Sequence, residues 1–288
     1  MIKTRGERIF DIVNCIILVF TVIITLLPFL HVVAKSLSKE SAVMAGEVTI
    51  FPIGFNLRTY KYVIGNHEFL RSLYVSIFVT GIGTILHVLV TSLVAYPLSR
   101  KYLVGRRIVS FIFIFTMLFS GGLIPTYLVI KSLGLIDSIW VLILPGLFSS
   151  FNMIILRNYF STIPDSLEES AKIDGCSNLG IFFRIIFPLS LPAIATVCIY
   201  TAVSYWNSYF NALLYINSRN LYPLSLYLRT VVLDTAAQLV DLNPELTNLN
   251  PESVRSATVV ASTLPILIVY PLLQKYFIKG VILGAVKE

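Results

Sequence analysis

Charge is what this sequence has least of. Only 13% of its 288 residues are Asp, Glu, Lys or Arg, about half the share of a soluble globular domain. With 56% apolar residues beside it, that leaves too few polar side chains to cover a water-facing surface. An ordinary soluble fold is excluded, and lipid is the medium expected around the chain. Cysteine is also scarce. Cys15, Cys176 and Cys198 are odd in number and scattered, which excludes a disulfide framework or zinc-ligand spacing. His31, His67 and His87 show no ligand spacing either, so each reads as structural and no metal is expected. No acidic residue lies deep in a long apolar run. That absence argues against a proton- or sodium-coupled secondary transporter, which needs ionisable groups inside the membrane. A membrane enzyme would need a nucleophile or metal constellation near the bilayer, and none is readable. Gly175 and Gly180 have phosphate-loop spacing, but Ile181 and Phe182 stand where Lys and Ser or Thr are required. The chain is therefore expected to hydrolyse no ATP, to hold no catalytic residue and to bind no cofactor of its own.

What is present is long apolar runs. A helix needs about 20 apolar residues to cross the hydrocarbon core, and six stretches qualify: about Phe10–Ala34, Ser72–Tyr96, Ile108–Ile130, Ser138–Leu156, Leu189–Ile216 and Ser256–Phe277. The fold class expected is all-α, a polytopic membrane protein of about six transmembrane helices forming one domain over residues 1–288. The first run follows Lys3, Arg5 and Arg8 but exceeds the roughly 7–15 apolar residues of a signal peptide and lacks a clear cleavage site, so it reads as a retained helix. With the N-terminus inside, 13 Lys and Arg residues fall on the inner side and 9 on the outer. The short loop with Arg100, Lys101, Arg106 and Arg107 weighs most. Both termini are expected in the cytoplasm. The net charge of +7 is explained by these loops rather than by a nucleic-acid partner. Pro28, Gly121–Gly122, Pro125, Pro145–Gly146, Pro192, Pro265 and Pro271 interrupt the runs; each is either a kink satisfied by neighbouring helices or a break lining a pathway.

The inner segment at about 157–187 has its own punctuation. Ser161 or Thr162 is placed to cap a helix and Pro164 to occupy its first position. Asp165, Glu168 and Glu169 put negative charge near the positive end of the helix dipole. Gly175 suits the left-handed stop, and a second amphipathic stretch, about Ser177–Phe187, leads back to the membrane at Pro188. A short helix, a sharp turn and another helix are expected on the cytoplasmic surface. Alone, such a helix is no more than a folded loop.

The residues of that loop resemble a pattern carried by permeases of ATP-binding-cassette importers, E-A-A-x3-G-x9-I-x-L-P. Glu169-Ser170-Ala171 is followed after three residues by Gly175, and after nine more by Ile185, Ile186, Phe187 and Pro188; Asp174 precedes the Gly. The sequence departs from the pattern at Ser170 and Phe187. Phe51-Pro52 with Asn56 and Tyr60, the run Trp206–Leu213, Pro223–Leu226 and Gln274–Lys287 are similar to the carbohydrate-uptake, maltose-type group. Phe119–Tyr127 is similar to its complex-oligosaccharide subgroup.

The resemblance implies a type I importer permease in a bacterial cell membrane. It implies a heterodimer with a second permease, two copies of an ATPase that bind ATP and Mg, and an extracellular sugar-binding lipoprotein. The segment 157–187 would be the coupling element, with Glu168, Glu169, Ser170, Ala171, Asp174, Gly175, Ile185 and Pro188 as its residues. Another solute remains the alternative, because that motif concerns coupling and not substrate. For the substrate pathway the fifth run offers Tyr205, Trp206, Asn207 and Asn211: aromatic faces stack on sugar rings and amides bond hydroxyls. An aromatic belt with polar contacts between helices explains the same residues.

Overall fold

The computed structural model describes residues 4–233 and 250–285. Described elements are helical throughout. Helix α1 (Arg5–Leu37) opens with a capping box: the Thr4 hydroxyl accepts from Glu7 N while Thr4 N donates 2.7 Å to the Glu7 carboxylate. Between Ile9 and Leu27 its large apolar side chains are exposed. A helix apolar all round, with none of the described residues covering that stretch, needs lipid or another subunit. Short α2 (Glu40–Met44) and α3 (Arg58–Gly65) precede α4 (His67–Ser99). Helix α4 runs unbroken and is closed by Pro97 near its end.

The third, fourth and fifth apolar runs are each broken, where the sequence suggested single spans. The third is α5 (Arg106–Leu118) and α6 (Leu123–Ser132), bent by 112°. Gly122 at the break has φ +86°, open to glycine and strained for other residues. The fourth is a pair of 3₁₀ turns at Ile139–Leu142 and Leu144–Gly146, bent by 48° into α7 (Ser150–Phe160). The Ser149 hydroxyl caps the second half, accepting from Asn152 N. Surface helix α8 (Asp165–Ile173) follows, then α9 (Asn178–Ile181), a π-turn at Phe182–Ile186 and α10 (Phe187–Leu189). These meet α11 (Leu191–Asn207) at 82°. The chain breaks again before α12 (Phe210–Tyr215), so the expected Leu189–Ile216 span is not one helix. Helices α13 (Leu224–Leu233) and α14 (Pro251–Ala285) complete the described chain, and the sixth apolar run falls inside α14. By length and composition, α1 and α4 qualify as membrane crossings among the residues searched, and the number rises to five if each bent pair is one span.

The chain divides into two compact units, Met1–Leu70 with Leu228–Pro265, and Arg71–Tyr227 with Ile266–Glu288. In the first, Ala34, Ala42, Val43 and Val48 form a small core. Beside it the Ser36 and Tyr60 hydroxyls lie 2.7 Å apart, and Asn56 N donates 2.8 Å to Leu37 O. The second unit holds two larger apolar clusters. One is centred on Leu156, Phe160, Phe182 and Ile186, the other on Val79, Ile143, Tyr205 and Ala212.

Asp137, just before the fourth apolar run, has an internal task. At φ +58° its carboxylate accepts from Asn217 N, Ser218 N and the Ser218 hydroxyl, tying two loops together. The Ser218 hydrogen bonds hold that carboxyl below its ordinary pKa. Asp234, Asp241 and Glu245 lie outside the described residues.

Candidate functional site

The surface hairpin forms as its punctuation suggested, with a different start. Helix α8 begins at Asp165 with Pro164 in the cap position and no side-chain cap. The Ser161 and Thr162 hydroxyls instead turn back onto Asn158 O and Tyr159 O and close α7. At the other end Gly175 adopts φ +78°, Gly175 N donates to Lys172 O, and Cys176 N donates 2.9 Å to Ala171 O. The last carbonyls of α8 are satisfied by this left-handed stop. Ser177 caps α9 by accepting from Gly180 N.

The motif residues divide by exposure. Glu169, Ser170, Asp174 and Gly175 are at the surface, as is Pro188, while Ala171 is buried and Ile185 is half-buried against the core. Two neighbours that sequence reasoning passed over stand out: Ile173 is 86% exposed and Leu179 63%. Exposed apolar side chains on a segment that also exposes carboxylates make it a candidate docking face.

Glu168, placed among the coupling residues of this surface segment, instead faces inward. It is 2% exposed and lies against Arg100, also 2% exposed, with Oε1 2.6 Å from Arg100 Nε. The approach is an ion pair whose N–H is not aligned on the oxygen, since neither atom makes a directed hydrogen bond. Arg100 Nη1 lies 3.2 Å from Asp165 Oδ1 and donates to Ile163 O, and the Tyr102 hydroxyl donates 3.3 Å to Glu168 Oε2. The guanidinium sits 5.3 Å from the Tyr96 ring centroid, and Lys172 Nζ sits 4.8 Å from that of Tyr102. Helix amphipathicity explains the split. Glu168 and Ala171 are three apart and share the inward face, whereas Glu169 and Ser170 point away.

A second polar site lies among α4, α7 and α11. A cavity of about 320 Å³ is lined by His87, Asn152, Tyr200, Thr201, Ser204 and Asn211, among others. His87 Nδ1 is 2.7 Å from Gly146 O, and Asn152 Nδ2 is 2.9 Å from His87 Nε2 and 3.3 Å from Thr201 Oγ1. A carbonyl only accepts, so Nδ1 carries the proton and Nε2 accepts from the amide. The imidazole is thereby neutral. Tyr205 lies alongside, donating 2.9 Å to Ile143 O.

Of the pathway residues read from the fifth apolar run, Tyr205 and Asn211 line this cavity, and Trp206 and Asn207 do not. The Asn207 amide donates to Val203 O of its own helix. His87, Asn152 and Thr201 were missed, although an ionisable residue inside an apolar run is itself a signal. No lining residue carries a formal charge, so the cavity offers aromatic faces, two amides, an imidazole and hydroxyls. That set suits a hydroxyl-rich neutral group. Among the described residues no group of three or more His, Cys, Asp or Glu is placed to hold a metal.

Comparison with known proteins agrees with this architecture. A family model described as "Binding-protein-dependent transport system inner membrane component" matches residues 6–283. The polygalacturonan/rhamnogalacturonan transport system permease protein YtcP of Bacillus subtilis (strain 168) is 47% identical over 283 residues, covering 98% of this chain and 99% of that one. Protein LplC of the same strain is 46% identical over 288 residues, covering 100% and 98%. Among solved structures, a chain from a bacterial ABC transporter involved in the import of the acidic polysaccharide alginate superposes with a TM-score of 0.87 at 33% identity, covering 96% of this chain and 99% of that chain.

Proposed function

Because the chain belongs to the family of inner-membrane components of binding-protein-dependent transport systems, we propose that it forms one half of the membrane pathway of an ATP-driven importer for an oligosaccharide. The observation that carries this reading is the α8–α9 hairpin. Its exposed residues include Glu169, Ser170 and Asp174 together with Ile173 and Leu179, a mixture of polar and apolar side chains of the kind that receives a partner. The partner is an ATPase, present in two copies and holding ATP and Mg. This chain performs no hydrolysis itself. A second permease supplies the other half of the pathway, and an extracellular sugar-binding protein delivers the solute. The hairpin then lies in the cytoplasm together with both termini, in keeping with the basic residues between α4 and α5. The uncharged cavity and the polysaccharides named for its relatives support an oligosaccharide as cargo.

Two substitutions test the docking face. Glu169→Lys reverses the charge at the contact, and like-charge apposition costs several kcal/mol. Gly175→Val places a β-branched residue at φ +78°, a strain on the order of 1 kcal/mol or more that tilts α9. Both positions are exposed, so membrane insertion is expected to stay normal. Capture of the ATPase by the tagged permease complex and solute-stimulated hydrolysis are expected to fall in both. Normal capture and stimulation in both variants would sink the reading.

A further inference from the structure

Helix α8 is joined covalently to α7 through residues 161–164, but to α4 only through side chains. That non-covalent joint has several members, although Arg100 Nη2 finds no hydrogen-bond partner and Arg100 Nε meets Glu168 only as an ion pair. Arg100, at the end of α4, reaches Ile163 O, Asp165 and Glu168, and Tyr102 closes on the other oxygen of Glu168. About 20 Å further along α4, at 1.5 Å per residue, His87 meets Asn152 of α7 on the wall of the cavity. Helices α4, α7 and α8 therefore make a closed frame, fastened by a buried ion pair at one end and a neutral hydrogen bond at the other. A buried ion pair is a poor source of stability, because desolvation of each charge offsets the attraction. What it does supply is a contact with one geometry and a high penalty for parting. An exposed pair could not do this, since solvent would let it slide.

We propose that Arg100 and Glu168 are positioning residues that make α8 and α4 move as one body, so that displacement of the surface hairpin reaches both sides of the His87–Asn152 cavity. With the pair intact, a push on α8 loads α4 and α7 together. With it broken, the push follows the covalent link to α7 alone, and the cavity wall formed by α4 stays behind. The proposal rests on the ATPase-docking reading of the hairpin. Glu168 faces away from that docking surface, so it can be altered while the exposed Glu169 face remains.

The test reads cavity access directly and needs no knowledge of the solute. In the full complex with its ATPase, Cys15, Cys176 and Cys198 are replaced by Ala and Asn211→Cys places a single thiol on the cavity lining. Its reaction with a small methanethiosulfonate reagent is timed with and without ATP and Mg. The parent is expected to show a nucleotide-dependent rate change of about fivefold or more, the lower end of ordinary coupling between sites. Adding Glu168→Gln or Arg100→Met is expected to reduce that change to less than about twofold while ATPase capture and basal hydrolysis hold. Glu168→Gln is nearly isosteric and keeps the test alive if Arg100→Met fails to accumulate. An undiminished response in the variants overturns the proposal. So does loss of ATPase capture together with the response, because the pair would then merely keep the hairpin in shape. A parent complex that binds no ATPase, or shows no response to nucleotide, overturns the docking reading first and the role of the pair with it.

Discussion

Helix α4 meets its neighbours through two polar contacts of opposite kind. At its end, Arg100 and Glu168 are both charged and both 2% exposed. Partway along, His87, Asn152 and Thr201 are neutral and border a cavity. Desolvating an ion costs several kcal/mol, returned only while its partner stays in place. Leaving a buried neutral group unpaired costs about 1–3 kcal/mol, and a passing hydroxyl repays it. The charged contact is thus suited to permanence and the neutral one to exchange. Placing charge where nothing leaves, and dipoles where a solute comes and goes, is a division of labour along one helix.

The strongest way to break this comparison is at the charged end. Arg100→Ala leaves Glu168 buried without its cation and is expected to destabilise the permease by about 3–5 kcal/mol, read as earlier thermal unfolding of the detergent-solubilised complex. The double variant Arg100→Met with Glu168→Met removes both charges at once and is expected to unfold later than the Arg100→Ala single. If the double unfolds no later, the charges are not what fixes the joint.

A smaller effect sharpens the neutral end. A Cβ at Gly83 would lie 2.8 Å from the Tyr205 ring, whereas one at Gly81 meets nothing within 4 Å. Gly83→Ala is expected to displace the ring towards the cavity, to cost about 1–3 kcal/mol and to slow uptake. Gly81→Ala, two residues away, should be neutral or stabilise by up to about 1 kcal/mol through helix propensity. Equal stability of the two variants would show that Tyr205 is free to move.

The smallest effect is expected within α11 and α12. Asn211 lines the cavity, while Asn207 bonds its own helix. Asn211→Ala is expected to reduce uptake severalfold at matched expression, and Asn207→Ala to leave it unchanged. A reversed order would move the solute path to the other face of the helix.

Much of this was written in the sequence in local terms. Apolar runs announced the membrane helices because hydropathy is a property of each segment, and the hairpin announced itself through Gly175 and the acidic first turn of α8. The breaks were less legible. Gly121–Gly122 and Pro145–Gly146 marked two of them, but nothing at Ser208–Tyr209 signals an interruption, since neither residue disfavours a helix strongly. The Arg100–Glu168 joint was hidden for another reason. Arg100 was counted among the loop cations that orient the chain, and Glu168 among the acids suited to a helix start. Both descriptions hold, yet neither says that the two meet, because the meeting depends on how α4 and α8 fold together. His87, Asn152 and Thr201 likewise come from three helices, and only their assembly makes a site.

Tyr205 has the last word on how α4 and the 3₁₀ turn before α7 are allowed to vary. Its ring would meet a methyl at Gly83 at 2.8 Å, and its hydroxyl would meet another at Gly146, also at 2.8 Å. The three positions therefore behave as one inherited character and not as three. A descendant that shrank residue 205 would release both glycines from their reason to be glycine. One that gained a methyl at 83 or 146 would survive best where 205 had already become small. Changes at these sites should travel in company through a lineage, and Ala at 83 beside an intact Tyr at 205 is the combination least expected to persist.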